Sequence, residues 1–206
     1  MKRRPPENHG HAKQKPADEQ SPPRPIGLYA RTKLEAERVL QDAGLDIVVL
    51  RLAAVYGRRL KGNYEKLETA LRRGIFVPIG RGSNRRTLIH ESDAVRAAIL
   101  AAERATTSPG VYNVTDGQTH SVKEILAAMC SALGRAEPRF HFPIGLARLL
   151  ARGVGRMGLF EKYVENVEVK GQRIQDVMGF RPQFDLATGW REAMAPPPPS
   201  EDRTRG

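Results

Sequence analysis

Residues 28–57 read LYARTKLEAERVLQDAGLDIVVLRLAAVYG, and their pattern decides the fold class. It predicts a helix from about Tyr29 to Ala43, a β-rich strand DIVVLR at 46–51, and a loop AAVYGRRLKG at 53–62 rich in Gly and Arg. Helix, strand and loop in this alternation are the rhythm of an α/β fold. Within the helix Tyr29 and Lys33 stand four apart, so their side chains share one face. A free phenol titrates near ~10 and accepts protons poorly at neutral pH. A cation within ~4–6 Å favours the phenolate by about 1–3 units, which makes the pair a candidate acid–base couple. Read as a plain surface pair, it would contribute about 0.2–0.5 kcal/mol and nothing more.

Outward from this stretch the alternation continues. NYEKLETALRR (63–73) predicts a helix, TLIH (87–90) a strand, and AVRAAILAAER a helix opened by Ser92 or the acidic ESD, while GVYNV (110–114) reads as another strand. Ser121 has Glu124 three residues on, the spacing of a capping box, for a helix ILAAMCSALG stopped by Gly134. After Pro143, IGLARLLARGVGRMG reads as helical and then Gly-broken, NVEV (166–169) as a short strand, and 185–193 as a last helix. Ten of the 15 prolines lie in 1–25 and 196–206, so those ends read as disordered and 26–195 as the folded body.

Composition narrows the class. The 206 residues suffice for one domain, or a domain with a small lobe. No apolar run approaches the ~18 residues of a membrane helix, so no membrane partner is expected. MKRRPPENHGH lacks the apolar stretch of a secretory signal, which makes the cytoplasm the default location. Cys130, alone of its kind, forms no internal disulfide and sits on an apolar helix stripe as a buried bystander. Of the net charge of +11, the segment between the two Pro-rich ends carries +8, spread out and without interleaved aromatics. That favours small anionic partners over nucleic acid.

Other templates fail. GVGRMG (153–158) spells G-x-G-x-x-G, yet a helix rather than a strand leads into it, and the motif binds a dinucleotide only between a strand and a helix. His90, His120 and His141 have no Cys, Asp or Glu at ligand spacing, so no metal site is expected, and His90 reads as a strand-end side chain.

The blocks SPPRPIGLYARTKLEAERVL, LDIVVLRLAAVYG, NRRTLIHESDAV, GVYNVTDGQTHSVKEI and GFRPQFDLATGWREA together resemble the extended short-chain dehydrogenase/reductase family, of the NAD-dependent sugar-nucleotide epimerase and dehydratase type. The resemblance implies the C-terminal part of a Rossmann-like, doubly wound parallel sheet with a small, mostly helical substrate-binding lobe. It implies NAD or NADP as cofactor and a nucleotide-sugar as substrate. Tyr29 would be the acid/base, and Lys33 would support it and bind the nicotinamide ribose. Ala53 and Val55 would lie against the nicotinamide, while Asn63, Arg85 and Arg86 would face the nucleotide, with Arg86 gripping the pyrophosphate through its guanidinium fork. The helix bearing Tyr29 offers itself for a homodimer.

The family's opening strand, glycine-rich turn and helix, and its Ser or Thr about two dozen residues before the tyrosine, have no counterpart here. The chain reads as starting after the cofactor-binding half, and as impaired by that truncation. A non-catalytic module that binds nucleotide diphosphates is the competing reading.

Overall fold

The computed structural model describes residues 15–25, 27–58, 63–104 and 108–195. Helix α1 (Leu28–Asp42) leads into strand β1 (Val48–Leu52), and after Ala53 the chain resumes as β2 (Ala54–Tyr56). Helix α2 (Asn63–Arg73) follows, then β3 (Arg85–Arg86), β4 (Leu88–His90), α3 (Glu91–Glu103) and β5 (Gly110–Val114). The remainder is mostly helical: β6 (His120–Ser121), α4 (Val122–Ala132), α5 (Ile144–Gly153), α6 (Met157–Val164), α7 (Gln172–Met178) and α8 (Leu186–Met194).

Two parallel ladders form the centre. β1 pairs with β5 from Val48 opposite Gly110 to Leu52 opposite Val114, and β2 pairs with β4 from Ala54 opposite Leu88 to Tyr56 opposite His90. The Ala53 N–H donates to the Val114 carbonyl at 2.9 Å and the Asp116 N–H to the Leu88 carbonyl at 2.8 Å, which ties the ladders together. A short antiparallel pair, β3 with β6, lies beside them. Parallel strands joined through helices are the α/β architecture that the sequence pattern implies.

Side chains alternate across a strand, so β4 serves two cores. Leu88 joins Tyr56, Met129, Cys130 and Trp190 on one side, while Ile89 joins Ala97, Tyr112, Val114, Ile174 and Phe180 on the other. Tyr56 stacks on Trp190 with centroids 4.4 Å apart, and Tyr64 meets the same indole edge-on at 5.4 Å. Helices α4 and α8 close this first core, each opened by a capping box, Ser121 with Glu124 and Asp185 with Thr188. Asp93, fully buried at the start of α3, accepts the N–H groups of Gln183 and Phe184 and faces Arg96 at 2.8 Å, so one carboxylate pins the segment that enters α8.

The structure corrects the sequence reading in four places. Part of the expected loop 53–62 is strand β2, because Tyr56 gains its buried place against Trp190 only when its backbone is laddered to β4. Helix α3 is capped by His90, whose ring nitrogen Nδ1 accepts the Ser92 N–H at 3.3 Å, rather than opened by Ser92. NVEV is reduced to single bridges, Val167 to Arg86 and Val169 to Ala17. Within the N-terminal stretch expected to be disordered, residues 15–25 make specific bonds: the Ala17 N–H donates to Glu168 at 2.8 Å, and a Glu19 carboxylate oxygen accepts the Asn113 N–H at 2.9 Å. Residues 1–14 and the tail 196–206 lie outside the described residues.

Candidate active site

Helix α1 carries the tyrosine–lysine pair on an open surface. Tyr29 is 76% exposed, and the Lys33 ammonium stands over its ring at 5.8 Å from the centroid. Glu37 continues the same stripe four residues on and receives a two-pronged contact from Arg51 of β1, Nη2 to Oε1 at 2.5 Å and Nε to Oε2 at 3.2 Å. The sequence therefore places Tyr29, Lys33 and the anchor to the sheet on one side of one helix. Ala53 and Val55 lie on the adjoining strand segment: Ala53 packs against the second core with its N–H committed to Val114, and Val55 is exposed.

A second cluster forms around Arg86. Its guanidinium lies against the C-terminal end of α6, with Nη1 donating to the Glu165 carbonyl and Nη2 to the carbonyls of Lys162 at 3.0 Å and Tyr163 at 3.2 Å. Carbonyls at a helix end lack intrahelical donors and carry partial negative charge, so this is a favourable seat for a cation. Carbonyl contacts leave the net charge in place. Burial lowers the Arg86 pKa, opposed by Tyr64, Glu165 and Tyr163, and a guanidinium that starts so high remains charged. Burial pushes the Tyr64 hydroxyl up to about 12 and raises that of Tyr163, so both phenols stay protonated as donors beside the cation.

The fold thus brings Arg86 to the first turn of α2, where Asn63 begins the helix and Tyr64 follows. Arg85 points to the other face of the strand, to the Thr119 carbonyl at 3.2 Å and Glu168 at 3.4 Å, and does not join the cluster. Among the described residues no hydrogen bond, ion pair or ring contact links the α1 pair to the Arg86 cluster.

Sequence reasoning missed three groups. Tyr64 and Tyr163 flank Arg86, although only the fold sets Tyr163 beside a residue 77 positions away. His90, buried and stacked on Phe184, donates through Nε2 to Glu192 at 3.0 Å, and Glu192 also holds Arg58 at 2.5 Å. His120 meets Asp116 at 2.6 Å. The i,i+4 spacing of Asp116 and His120 was a usable signal, whereas the partner of His90 lies 102 residues away. Among the described residues no group of three or more His, Cys, Asp or Glu could hold a metal ion.

A family model, the NAD dependent epimerase/dehydratase family, matches residues 7–115, more than half of the chain. The chain belongs to that family. The UDP-glucose 4-epimerase of Vibrio cholerae is 24% identical over 169 residues, covering 80% of this chain and 52% of that protein. The dTDP-glucose 4,6-dehydratase of Streptomyces griseus is 29% identical over 184 residues, 86% of this chain and 52% of that protein. Among solved structures, MoeE5 in complex with UDP-glucuronic acid and NAD superposes with a TM-score of 0.66 at 25% identity, covering 88% of this chain and 58% of that one. The fold is therefore the Rossmann-like one of these enzymes, and the chain spans about half the length of the curated relatives it matches.

The residues present fit one end of a nicotinamide dinucleotide. The Tyr29 hydroxyl and Lys33 ammonium stand open at the surface of α1, available to a ribose. The pyrophosphate end finds no cradle in GVGRMG, since α5 runs into its first glycine and α6 opens at its Met157, with Gly155 between them at φ 67°. Among the described residues no helix is long and apolar enough to cross a membrane.

Proposed function

We propose that residues 26–195 supply the acid–base tyrosine and the substrate lobe of an NAD- or NADP-dependent enzyme that epimerises, dehydrates or reduces a nucleotide-activated sugar in the cytoplasm. The observation that carries this reading is the open Tyr29–Lys33 pair on α1, with the lysine ammonium 5.8 Å from the tyrosine ring centroid, in a chain of this family. Relatives named as a UDP-glucose epimerase and a dTDP-glucose dehydratase support the substrate class.

In this reading the Tyr29 hydroxyl exchanges the proton of a sugar hydroxyl while a hydride moves to or from the same carbon. The dinucleotide, when bound, supplies the hydride acceptor. Lys33 donates to the cofactor ribose, and the backbone at Ala53 and Val55 borders the nicotinamide. Arg86, held in place by the end of α6 and flanked by two protonated phenols, meets the substrate's diphosphate beside Asn63 at the start of α2, while Arg85, turned to the other face of the strand, takes no part. The exposed Leu28 and Val39 of α1 support pairing of two copies through that helix.

The test supplies the chain with the N-terminal half of a relative and follows turnover of UDP-glucose or dTDP-glucose with NAD. Tyr29→Phe is expected to lower kcat by about 10²–10⁴ while UDP still binds, and Arg86→Ala to weaken UDP binding at least ~10-fold. Unchanged kcat in Tyr29→Phe would remove the tyrosine from the chemistry, and no turnover by the completed chain, with UDP binding kept and then lost in Arg86→Ala, would favour the non-catalytic binding module instead.

A further inference from the structure

One surface lies apart from both clusters. Between Glu137 and Glu161 the sequence contains no Asp or Glu and has four arginines, at 139, 148, 152 and 156. Of the 20 large apolar side chains exposed among the described residues, seven fall within this stretch, from Phe140 at 83% exposed to Leu159. Helix α5 packs against α6 and buries only Ala147. Its Leu146, Leu149 and Leu150, at i, i+3 and i+4, form an exposed apolar stripe, extended by Val154 just past the helix. Arg152 borders that stripe on its Leu149 side, and Arg148, one turn before it, lies on the far side of the helix toward α6. The Arg148 guanidinium rests 5.7 Å from the centre of the Phe160 ring, while Arg152 and Arg156 are exposed.

We propose that α5 and the turn into α6 form a peripheral contact for a membrane surface bearing anionic lipid headgroups. The apolar stripe would enter the headgroup boundary lengthwise, and the arginines would keep their heads at the phosphates while their stems follow the apolar surface. The charge pattern selects this occupant. A second copy seated on the same patch would bring arginines against arginines with no carboxylate to answer them. Nucleic acid would satisfy the arginines but leave the leucine stripe in water. The sequence led to no membrane partner because no segment spans a bilayer; lying on one needs only a short amphipathic face and net positive charge. The inference is independent of the sugar chemistry.

The test is cosedimentation of the full chain with vesicles of phosphatidylcholine alone and with about 30 mol% phosphatidylglycerol. Binding should be at least ~10-fold tighter to the anionic vesicles and should weaken as salt is raised. Leu149→Glu should abolish it, and Arg152→Glu should lower it by about tenfold, both with an unchanged thermal midpoint because both side chains are exposed. Equal binding to the two vesicle types, or full binding by Leu149→Glu, overturns the proposal. So does a concentration-dependent dimer that Leu149→Glu dissolves without any vesicle binding, which would assign the face to a second copy.

Discussion

Helices α1 and α8 are built on opposite principles. The 15 residues of α1 include none that is buried, its N-cap Gly27 offers no side-chain bond, and its specific tie to the sheet is the Arg51–Glu37 contact. The nine residues of α8 include four that are buried, and it opens with the Asp185–Thr188 capping box. Yet α1 bears the pair proposed for the chemistry. Residues that stabilise this chain and residues proposed to react sit on different elements, so mutations in the two regions should read out in different assays.

The largest effect belongs to the packed region. Trp190 is fully buried between Tyr56 and Tyr64, and truncating a buried tryptophan costs about 3–5 kcal/mol. Trp190→Ala should therefore move the urea midpoint far down. Gly189→Ala should behave similarly for another reason, because a Cβ at that position would stand 2.1 Å from the Tyr56 hydroxyl and force α8 off the core. A loss below about 1 kcal/mol for Trp190→Ala would break the contrast with α1 at its stable end.

A smaller effect tests the caps. Ser121 accepts the Glu124 N–H at 3.1 Å and its own N–H reaches the Glu124 carboxylate at 2.7 Å, so Ser121→Ala should cost about 1 kcal/mol. Those bonds hold the Glu124 carboxyl below its ordinary pKa, and bonds from Thr188 do the same for Asp185. A carboxyl lowered in the folded state contributes stability that is fully present above its unfolded pKa and is lost as pH falls through the folded value. Urea midpoints should therefore fall from about pH 5 downward, less steeply in Ser121→Ala. Equal acid slopes in the two proteins would detach the caps from acid stability.

What the sequence disclosed divides along the same line. Local rules fixed α2 and β5 to their ends and identified the Ser121 capping box, because spacing of three or four residues is written in the chain. Strand β2 was read as a loop since its order comes from Trp190, over a hundred residues away, and the His90–Glu192 contact escaped for the same reason. Tyr29 and Lys33 were legible as an i,i+4 pair. The surroundings of Arg86 were not, because α6 returns to it only through the tertiary fold.

The smallest expected effect is the sharpest test of the comparison. Tyr29→Phe removes one hydroxyl from a ring that is 76% exposed on a helix with no buried residue, so the stability change should stay within about 0.5 kcal/mol. The backbone should report the same looseness, with α1 amides exchanging well before those of α4 and α8, which lie over the core. A tyrosine retained for packing would give the reverse pattern, with lost stability and slow exchange around it. If Tyr29→Phe lowers the urea midpoint as far as Ser121→Ala does, the hydroxyl is structural, and its part in proton transfer must be given up even though the lysine stands one turn away.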